Sequence, residues 1–530
     1  MTESPHTHAT PPAHQGPSLN RSTSIVGGMT LLSRVLGFVR EIMLATAFGA
    51  GASMDAFLVA LQIPNFGRRM FAEGAFSQSF VPVFTETKTT QGHAASREMV
   101  SVVMGTLGGV LSLITLVGCL AAPLLVWAFA SGFATDAGKS QLAAELLRWT
   151  FPYLMFISLT SMAGGILNAY GRFALPAFTP VILNLCLIAS AFVGDGGVHV
   201  LAYAVFVAGV LQFAVQLPAL AKLKLLPRPR WAWGDGRVRR ILKLMVPVLI
   251  GSSVAQISLL LNSNLSTHFG DGSVSWLYYA NRLMEFPLGI FSIAVGTAIL
   301  PALAAQHALA DARKFSATLD WALRAILIIG LPAAFGMVLA AGPLVAAVYG
   351  HGRFGAFDVQ MTTWALWAYG AGFMGFSLVK VLVPGFYARQ ETRLPVRYAI
   401  ISLVVGMAFS LGLFVVHRAS GLEGAHVGLA ISTSLTAWVN AVLLFRRLRA
   451  DAIYVPGAGW GRFSLQILAA TLAMSAVIAV FHLPMADWMA MGPLARGGRL
   501  AMLIAAAIAA YFGVLFALGV RPRDLKPRRA

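Results

Sequence analysis

Hydrophobic residues form long uninterrupted segments along the chain, and short connections rich in Gly, Pro, Asp or Asn separate them. A helix needs about 20 apolar residues to cross about 30 Å of membrane hydrocarbon, and most of the segments reach that length. The pattern therefore predicts an all-α polytopic membrane protein with about fourteen transmembrane helices. The predicted spans are 24–47, 54–84, 99–129, 142–170, 176–194, 199–222, 240–268, 273–306, 316–349, 359–388, 394–416, 424–446, 459–481 and 497–519.

The amino-acid composition excludes an ordinary soluble protein. Hydrophobic residues make up 58% of the 530 residues and charged residues only 11%, whereas soluble domains have about 25% charged residues. Both cysteines, Cys119 and Cys186, lie in apolar runs and offer neither a disulfide framework nor a metal spacing. Walker A, zinc-binding and nucleophile-elbow patterns are absent from the sequence. We therefore expect neither an enzyme nor ATP-driven transport by this chain alone.

The distribution of charge predicts the orientation in the membrane. Lys and Arg (39 residues) outnumber Asp and Glu (20 residues), which gives a formal net charge of +19. With a cytoplasmic N-terminus, about 25 basic residues fall in cytoplasmic segments and about 5 in periplasmic ones, as the positive-inside rule requires. The densest basic cluster lies at 222–243. Membrane topology thus explains most of the charge without nucleic acid, and both termini are predicted to be cytoplasmic.

Both ends of the chain are polar. Residues 1–23 contain no apolar run, and their His, Pro, Thr and Ser content predicts a disordered cytoplasmic tail rather than a signal peptide. A tail without fixed geometry explains its histidines better than a metal site does; they are His6, His8 and His14. Residues 520–530 are predicted to form a basic cytoplasmic tail.

An internal repeat divides the chain into two parts. The loop Phe48–Ser53 recurs as Phe269–Ser273, and two prolines recur at nearly the same separation of about 219 residues. The proline pairs are Pro82 with Pro301 and Pro176 with Pro395. Because the period holds six spans, both copies have the same orientation in the membrane. We expect the two repeated loops to approach each other when the periplasmic side is closed.

The repeat predicts two parallel six-helix lobes and two extra helices. The N-terminal lobe covers 24–222, a basic cytoplasmic linker covers 223–239, and the C-terminal lobe covers 240–448. Transmembrane helices 13 and 14, at 459–519, lie outside the repeat. Two such lobes facing each other across a cleft are typical of parallel-repeat transporters.

Several arginines lie inside the predicted spans, where a charge is costly unless it faces a cavity or a partner. With a helical rise of about 1.5 Å per residue, those of spans one, two and eight fall in one central layer. They are Arg34, Arg40, Arg68, Arg69 and Arg282. Arginine keeps its charge, and its planar fork matches phosphate oxygens. The layer therefore favours an anionic, phosphate-bearing ligand.

Other charged and polar residues in these spans leave alternatives open. The pairs Arg69–Glu73 and Arg282–Glu285 have the helical spacing of internal salt bridges, which would make those arginines structural. Asp55 lies near the outer end of span two. Its role there could be that of a gate residue, a cation contact or a charge at the helix N-terminus. The Pro64-Asn65 step either opens the backbone beside a cavity or makes a simple kink.

Three segments resemble the MurJ (MviN) family of lipid II flippases: Ser33–Glu41 (Ser-Arg-Val-Leu-Gly-Phe-Val-Arg-Glu), Arg68–Ser77 (Arg-Arg-Met-Phe-Ala-Glu-Gly-Ala-Phe-Ser) and Ser273–Pro287 (Ser-Val-Ser-Trp-Leu-Tyr-Tyr-Ala-Asn-Arg-Leu-Met-Glu-Phe-Pro). The resemblance implies the fold of the MATE/polysaccharide-exporter (MOP) superfamily. It also implies flipping of undecaprenyl-pyrophosphate disaccharide-pentapeptide (lipid II) to the outer leaflet of the bacterial cytoplasmic membrane.

The resemblance also assigns roles to residues. It implies four arginines that bind the pyrophosphate, namely Arg34, Arg40, Arg68 and Arg282. Further cavity or gate positions are Asp55, Asn65, Arg69, Glu73 and Glu285. The chain departs from its enterobacterial-type relatives at Asn281, where they have Asp, so the resemblance does not carry over a salt bridge or gate latch at this position.

Alternating access by rocking lobes requires no chemistry on the substrate and no cofactor. We expect the membrane potential to drive it, with sodium or an anion as alternative coupling ions, and helices 13 and 14 to form a groove for the lipid tail. The protein is expected to be monomeric, and its expected partners are lipid II, membrane lipids and the cell-wall synthesis and division machinery. A flippase for another polyprenyl-pyrophosphate glycan, of the O-antigen or exopolysaccharide type, is the alternative function.

Overall fold

The computed structural model describes residues 19–193, 196–226, 228–420 and 424–520, and every regular element in these ranges is helical. The α-helices are α1 Leu19–Phe48, α2 Ala52–Gly67, α3 Ser77–Leu120, α4 Ala122–Phe129, α5 Ala137–Thr150, α6 Tyr153–Ala169, α7 Ala174–Ser190, α8 His199–Ala214, α9 Leu217–Lys222, α10 Gly236–Ser266, α11 Ser273–Ala308, α12 Ala312–Leu339, α13 Ala341–Val348, α14 Ala356–Tyr387, α15 Arg393–Ser420, α16 Val427–Ala450, α17 Trp460–Val480, α18 Met485–Ala490 and α19 Pro493–Ala517. A π-helical segment, Arg68–Phe76, joins α2 to α3, and a 3₁₀ turn, Ser131–Thr135, precedes α5.

Long apolar helices dominate the structure. In the described part of the chain, nine helical segments are long and apolar enough to cross a membrane. They are α3, α5 with α6, α8 with α9, α12, α14, α15, α16, α17 and α19. The prediction of a polytopic all-α membrane protein is confirmed, whereas the number of about fourteen spans stays a prediction. Helix α1 carries Arg34, Arg40 and Glu41, which make it less apolar than these nine segments.

Prolines and a glycine set the boundaries that the hydrophobic pattern left indistinct. The predicted second and third spans are separated at Gly92, whose backbone is not helical (φ 80°, ψ −168°), so that α3 consists of two helices that meet at a kink. Phe151 and Pro152 separate α5 from α6 within the predicted fourth span, since proline lacks an N–H and ends a helix. Pro64 lies inside α2, and the backbone widens into the π-helical segment just after it.

The helices pack in two groups that follow the repeat. In the first group α1 packs against α7 and α2 against α5; in the second, α14 packs against α11, α12 and α16. Helix α10 also packs against α3 and the π-helical segment of the first group. Two ion pairs tie its N-terminal end there, Arg237–Glu98 at 3.4 Å and Arg240–Glu86 at 2.8 Å. The predicted lobe boundary at residue 240 therefore falls within α10, and α10 bridges the two groups.

The last helices form a separate layer on the second group. Helix α17 packs against α19 and α12, and α13 contacts both α18 and α19. Their shared core is apolar, with Ile467, Met474, Leu503 and Tyr511 buried. Large apolar side chains on the opposite faces are exposed, as expected where lipid covers a helix.

Candidate functional site

A buried carboxylate, Glu41 of α1, organises the centre of the molecule. Its side chain is 2% exposed. Oε1 accepts a hydrogen bond from the Tyr278 hydroxyl of α11 at 2.9 Å and a short one from Nη2 of Arg40. Nε of Arg282, also on α11, lies 3.7 Å from the same oxygen. Glu41 thus joins one helix of each repeat copy, and it brings together two of the predicted arginines.

Neighbouring side chains fix the orientation of Arg40. Its Nη1 donates to Oδ1 of Asn184 at 2.9 Å, and Nδ2 of Asn184 donates to the carbonyl of Ser33 at 2.9 Å. Asn184 belongs to α7, which packs along α1, so its amide connects the two helices. Asn184 is not among the residues predicted from the sequence, where its one signal is an amide in an otherwise apolar span.

Arg282 is held mainly by its own helix. Nη1 donates to Oε2 of Glu285 at 2.7 Å, so the pair suggested by the i,i+3 spacing is present. The guanidinium also lies over the ring of Tyr278, 4.9 Å from its centroid. Asn281 donates from Nδ2 to Oε1 of Glu285 at 3.1 Å. The residue that departs from the family pattern therefore supports Glu285 instead of forming a latch of its own.

This cluster contains buried polar atoms that lack a hydrogen bond. Among the residues that the structure describes, Nε of Arg40, Nε of Arg282 and Oε2 of Glu41 are buried without a hydrogen-bond partner. Such atoms are rare in folded proteins, because their desolvation is then uncompensated. The centre thus has donor capacity that a ligand could use, although the formal charges of Arg40, Glu41, Arg282 and Glu285 cancel.

Arg34 adds positive charge to the same helix interface. Its guanidinium lies against Gly289 of α11, where any side chain would collide with Nη1. Arg34 is exposed, and no carboxylate in the described residues lies within ion-pair distance of it. The glycine at 289 leaves room for the Arg34 guanidinium between α1 and α11, and a larger residue there would require Arg34 to move.

The predicted residues of span two lie in and beside the π-helical segment. Arg68 donates from Nε to Oδ1 of Asn65 at 3.1 Å, and its backbone N–H bonds to the carbonyls of Pro64 and Asn65. Arg69 is exposed, and the side chain of Glu73 lies outside the described residues. A common layer that includes Arg68 and Arg69 together with the arginines of α1 and α11 stays a prediction.

Asp55 joins the two helix groups on the side predicted to be periplasmic. It is 1% exposed and accepts hydrogen bonds from the backbone N–H of Gly272 (2.8 Å) and from the N–H and hydroxyl of Ser275 (2.9 and 2.6 Å). Lys139 lies 3.3 Å from Asp55 and 2.7 Å from Asp271. Asp55 is thus a charge at a helix N-terminus, but the helix is α11 of the other repeat copy.

Two further contacts on this side are related by the repeat. The Arg353 N–H donates to the carbonyl of Thr46 at 3.0 Å, and the Gly132 N–H donates to the Thr267 hydroxyl at 3.1 Å. A side chain at Gly132 or Gly352 would collide with the carbonyl of the threonine opposite it. The end of α1 therefore touches the second group much as the end of α10 touches the first, as the repeat leads us to expect.

The fold and the charged centre together define a polytopic membrane transporter. The fold is similar to a solved structure described as lipid II flippase MurJ in an inward closed conformation, with a TM-score of 0.76 and 23% identity, covering 93% of this chain and 98% of that one. It is also similar to an inward-facing multidrug resistance MATE family transporter of the MOP superfamily, with a TM-score of 0.63 and 15% identity over 81% of this chain and 98% of that one.

Sequence comparisons identify the family. The family model for lipid II flippase MurJ matches residues 44–496. The chain is 41% identical to a probable lipid II flippase MurJ of Vibrio cholerae, covering 96% of this chain and 98% of the relative. It is 43% identical to lipid II flippase MurJ of Burkholderia cenocepacia over 95% and 98% of the two chains. The chain belongs to the lipid II flippase MurJ family, and the predicted resemblance is confirmed.

Proposed function

We propose that this protein flips lipid II from the inner to the outer leaflet of the bacterial cytoplasmic membrane by alternating access. Membership of the lipid II flippase MurJ family supports this function. The observation that carries the proposal for the site is the α1–α11 interface, where Arg40 and Arg282 lie beside the buried carboxylate of Glu41 and Arg34 lies against Gly289. Guanidinium groups there suit a pyrophosphate, because each can bind two phosphate oxygens.

Substrate binding is an exchange of anions in this proposal. In the unliganded cluster, Glu41 and Glu285 neutralise Arg40 and Arg282. A pyrophosphate oxygen competes with those carboxylates and also reaches the buried Nε atoms that lack a partner. Binding therefore changes the contacts that hold α1 against α11. A ligand shifts a conformational equilibrium only through such a difference in interactions between the two states.

Release to the periplasm requires the outer contacts to break. Asp55, Thr46 and Gly132 join the two helix groups there, so the outward-open state must separate all three from their partners. No bond of the substrate is made or broken, and the protein acts as a transporter. An inside-negative potential moves the anionic headgroup outward, with about 2.3 kcal/mol per charge per 100 mV.

The remaining assignments extend this proposal. Both termini are cytoplasmic, since the basic connections favour the cytoplasmic side, and the protein works as a monomer without a cofactor. Arg68 joins the pyrophosphate site from the π-helical segment, while Asn65 positions it through the 3.1 Å hydrogen bond. Arg69 and Glu285 support the same cavity, and for Glu73 we keep the cavity or gate role that the family resemblance implies.

Depletion of the protein in its host tests the substrate assignment. We expect lipid II to accumulate in the inner leaflet and the cells to lyse, because peptidoglycan synthesis loses its precursor. Accumulation of another polyprenyl-pyrophosphate glycan, with lipid II distributed normally between the leaflets, would contradict the proposal and favour the alternative substrate. The Arg282→Gln protein, re-expressed at normal abundance, should fail to reverse the accumulation.

A further inference from the structure

A buried arginine in the first turn of α19 has no anionic partner. Arg496 is 5% exposed, and in the described part of the chain no carboxylate lies within ion-pair distance of it. Backbone carbonyls surround its guanidinium instead. Nη2 donates to Met489 and Met491 at 2.9 Å each, Nε donates to Met491 at 3.2 Å, and Nη1 donates to Ala346 at 3.1 Å and, in a shorter bond, to Gly350.

These carbonyls explain why a buried charge is tolerated here. They lie at or just beyond the C-terminal ends of α13 and α18, where carbonyl groups carry partial negative charge. A buried charge is costly unless hydrogen bonds compensate it, and Arg496 gains them from two separate segments. An ammonium could not bridge both segments, because it lacks the extended planar fork.

The same guanidinium reaches the periplasmic closure. Gly350, one of its acceptors, begins the short loop that ends at Arg353, whose N–H donates to Thr46 of α1. A methyl group at Gly350 would lie 2.6 Å from the Ala346 carbonyl and 3.0 Å from Nη1 of Arg496. The loop is therefore packed tightly between Arg496 on one side and α1 on the other.

Among the described residues, this arrangement is found at one of the two outer contacts. The repeat-related contact, between Gly132 and Thr267, belongs to the first group of helices, whereas α18 packs against α13, and α19 packs against α13 and α17. One outer contact is thus attached to the C-terminal helices that lie outside the repeat, and the other is not.

We propose that Arg496 is a positioning residue for the periplasmic gate. It holds the loop 350–353 in the conformation that meets Thr46, and it links the position of α19 to the closure of the outer side. A displacement of α19 during the transport cycle therefore loosens the Thr46–Arg353 contact before the Gly132–Thr267 contact. The C-terminal helices control the gate asymmetrically.

Hydrogen–deuterium exchange of the full chain in lipid nanodiscs tests this link. In Arg496→Gln, we expect amides of 349–354 and 44–50 to exchange at least about tenfold faster. In the wild type, local opening of these segments must break the hydrogen bonds of Arg496, and in the variant it no longer has to. Amides of 130–136 should keep their wild-type rates. Arg496→Lys should give an intermediate rate, since it retains the charge without the fork.

Two control variants separate the gate from general loosening of α19. Arg499→Gln removes a positive charge one turn later in the helix, and Tyr511→Phe removes the 2.7 Å hydrogen bond to the Ile328 carbonyl. Neither should change exchange at 349–354. Gly350→Ala keeps every charge but crowds Nη1, so it should reproduce the faster exchange if Arg496→Gln does not fold.

Flipping activity completes the test. We expect Arg496→Gln and Gly350→Ala to lower the rate of lipid II flipping severalfold at normal abundance, with the control variants unaffected. Three results would overturn the proposal: unchanged exchange at 349–354, equal acceleration at 130–136, or faster exchange at 349–354 without any loss of flipping. The exchange measurements do not depend on the substrate, so a wrong substrate assignment would leave their outcome unaltered.

Discussion

The periplasmic closure and the charged centre both join α11 to the first group of helices, but their hydrogen bonding differs. At the closure, Asp55 receives three hydrogen bonds from Gly272 and Ser275 and lies beside Lys139. At the centre, Glu41 and the guanidinium groups around it keep buried atoms without partners. A fully satisfied contact is suited to holding one state, whereas an incompletely satisfied one is suited to exchanging partners with a ligand.

This difference predicts the largest effect at the centre. Replacing Arg34, Arg40, Arg68 or Arg282 with Ala should abolish complementation of a depleted strain, because each change removes a phosphate-binding group from the proposed site. Lysine replacements should rescue only partly, since an ammonium binds as a point charge. Arg313→Ala, an exposed position in α12, is the matched control and should complement fully. Normal complementation by all four alanine variants at wild-type abundance would refute the proposed site.

The second prediction concerns the closure. Asp55→Asn removes the charge that Lys139 and the α11 N-terminus share, and breaking a buried ion pair costs about 3–5 kcal/mol. We expect the population to shift towards the outward-open state, with faster amide exchange at 272–275 and reduced flipping. Asp136→Asn serves as a control, because Asp136 caps α5 within one group through Lys139 N–H at 3.1 Å. Wild-type exchange in Asp55→Asn would show that this carboxylate does not hold the gate.

A smaller effect is expected from the residue that orients Arg40. Asn184→Ala removes the 2.9 Å hydrogen bond to its guanidinium and the bond to Ser33, but leaves every charge in place. Flipping should fall about tenfold to a hundredfold, because a net hydrogen bond to a charged group contributes about 1.5–3 kcal/mol. Measuring the rate against lipid II concentration distinguishes weaker binding from slower rocking. A variant with the full wild-type rate would indicate that Glu41 alone orients Arg40.

The smallest effect is expected outside both regions, in the basic linker. Arg228, Arg230 and Arg239 are exposed at the cytoplasmic end of the molecule beside the stacked rings of Trp231 and Trp233. Anionic lipids attract each such charge by about 1 kcal/mol near the surface, so the segment is expected to anchor the protein. Changing the three arginines to Gln should weaken retention of anionic lipid but barely alter flipping. A strong loss of flipping with unchanged topology would instead place the linker in the substrate path.

Ionic interactions in the linker also have a predictable pH dependence. Hydrogen bonds from Arg237 hold the pKa of Asp235 below its ordinary value, mainly because its guanidinium binds the carboxylate at 2.8 Å. A depressed pKa contributes stability above the ordinary value, and this contribution is lost as pH falls through the depressed pKa. Because a partly exposed ion pair at the surface contributes little stability, we expect only a small loss of order at 228–240 in acid. The substitution Asp235→Asn should remove that pH dependence, which hydrogen–deuterium exchange at 228–240 would measure.

The sequence predicts the arginines of α1 and α11 well but not their partners. Arginine in an apolar span is conspicuous, so hydropathy alone marks Arg34, Arg40 and Arg282 as candidates. Their contacts with Asn184, Tyr278 and Gly289 depend on which helices touch, and residues far apart in the chain give no local signal of that. The same reason hides Lys139, which by sequence is an ordinary residue of a periplasmic connection.

The sequence by itself determined the kind of protein: a chain of apolar spans, an uneven distribution of basic residues between the connections, a repeat of about 219 residues, and family motifs in α1, the π-helical segment and α11. These properties are local or periodic, so they can be read without knowing the packing. Only the tertiary structure decided that Asp55 caps the other group's helix, that α10 bridges both groups, and that Arg496 binds carbonyls beside the gate. Each of these depends on the approach of backbone atoms from distant segments, which side-chain patterns along the chain do not encode.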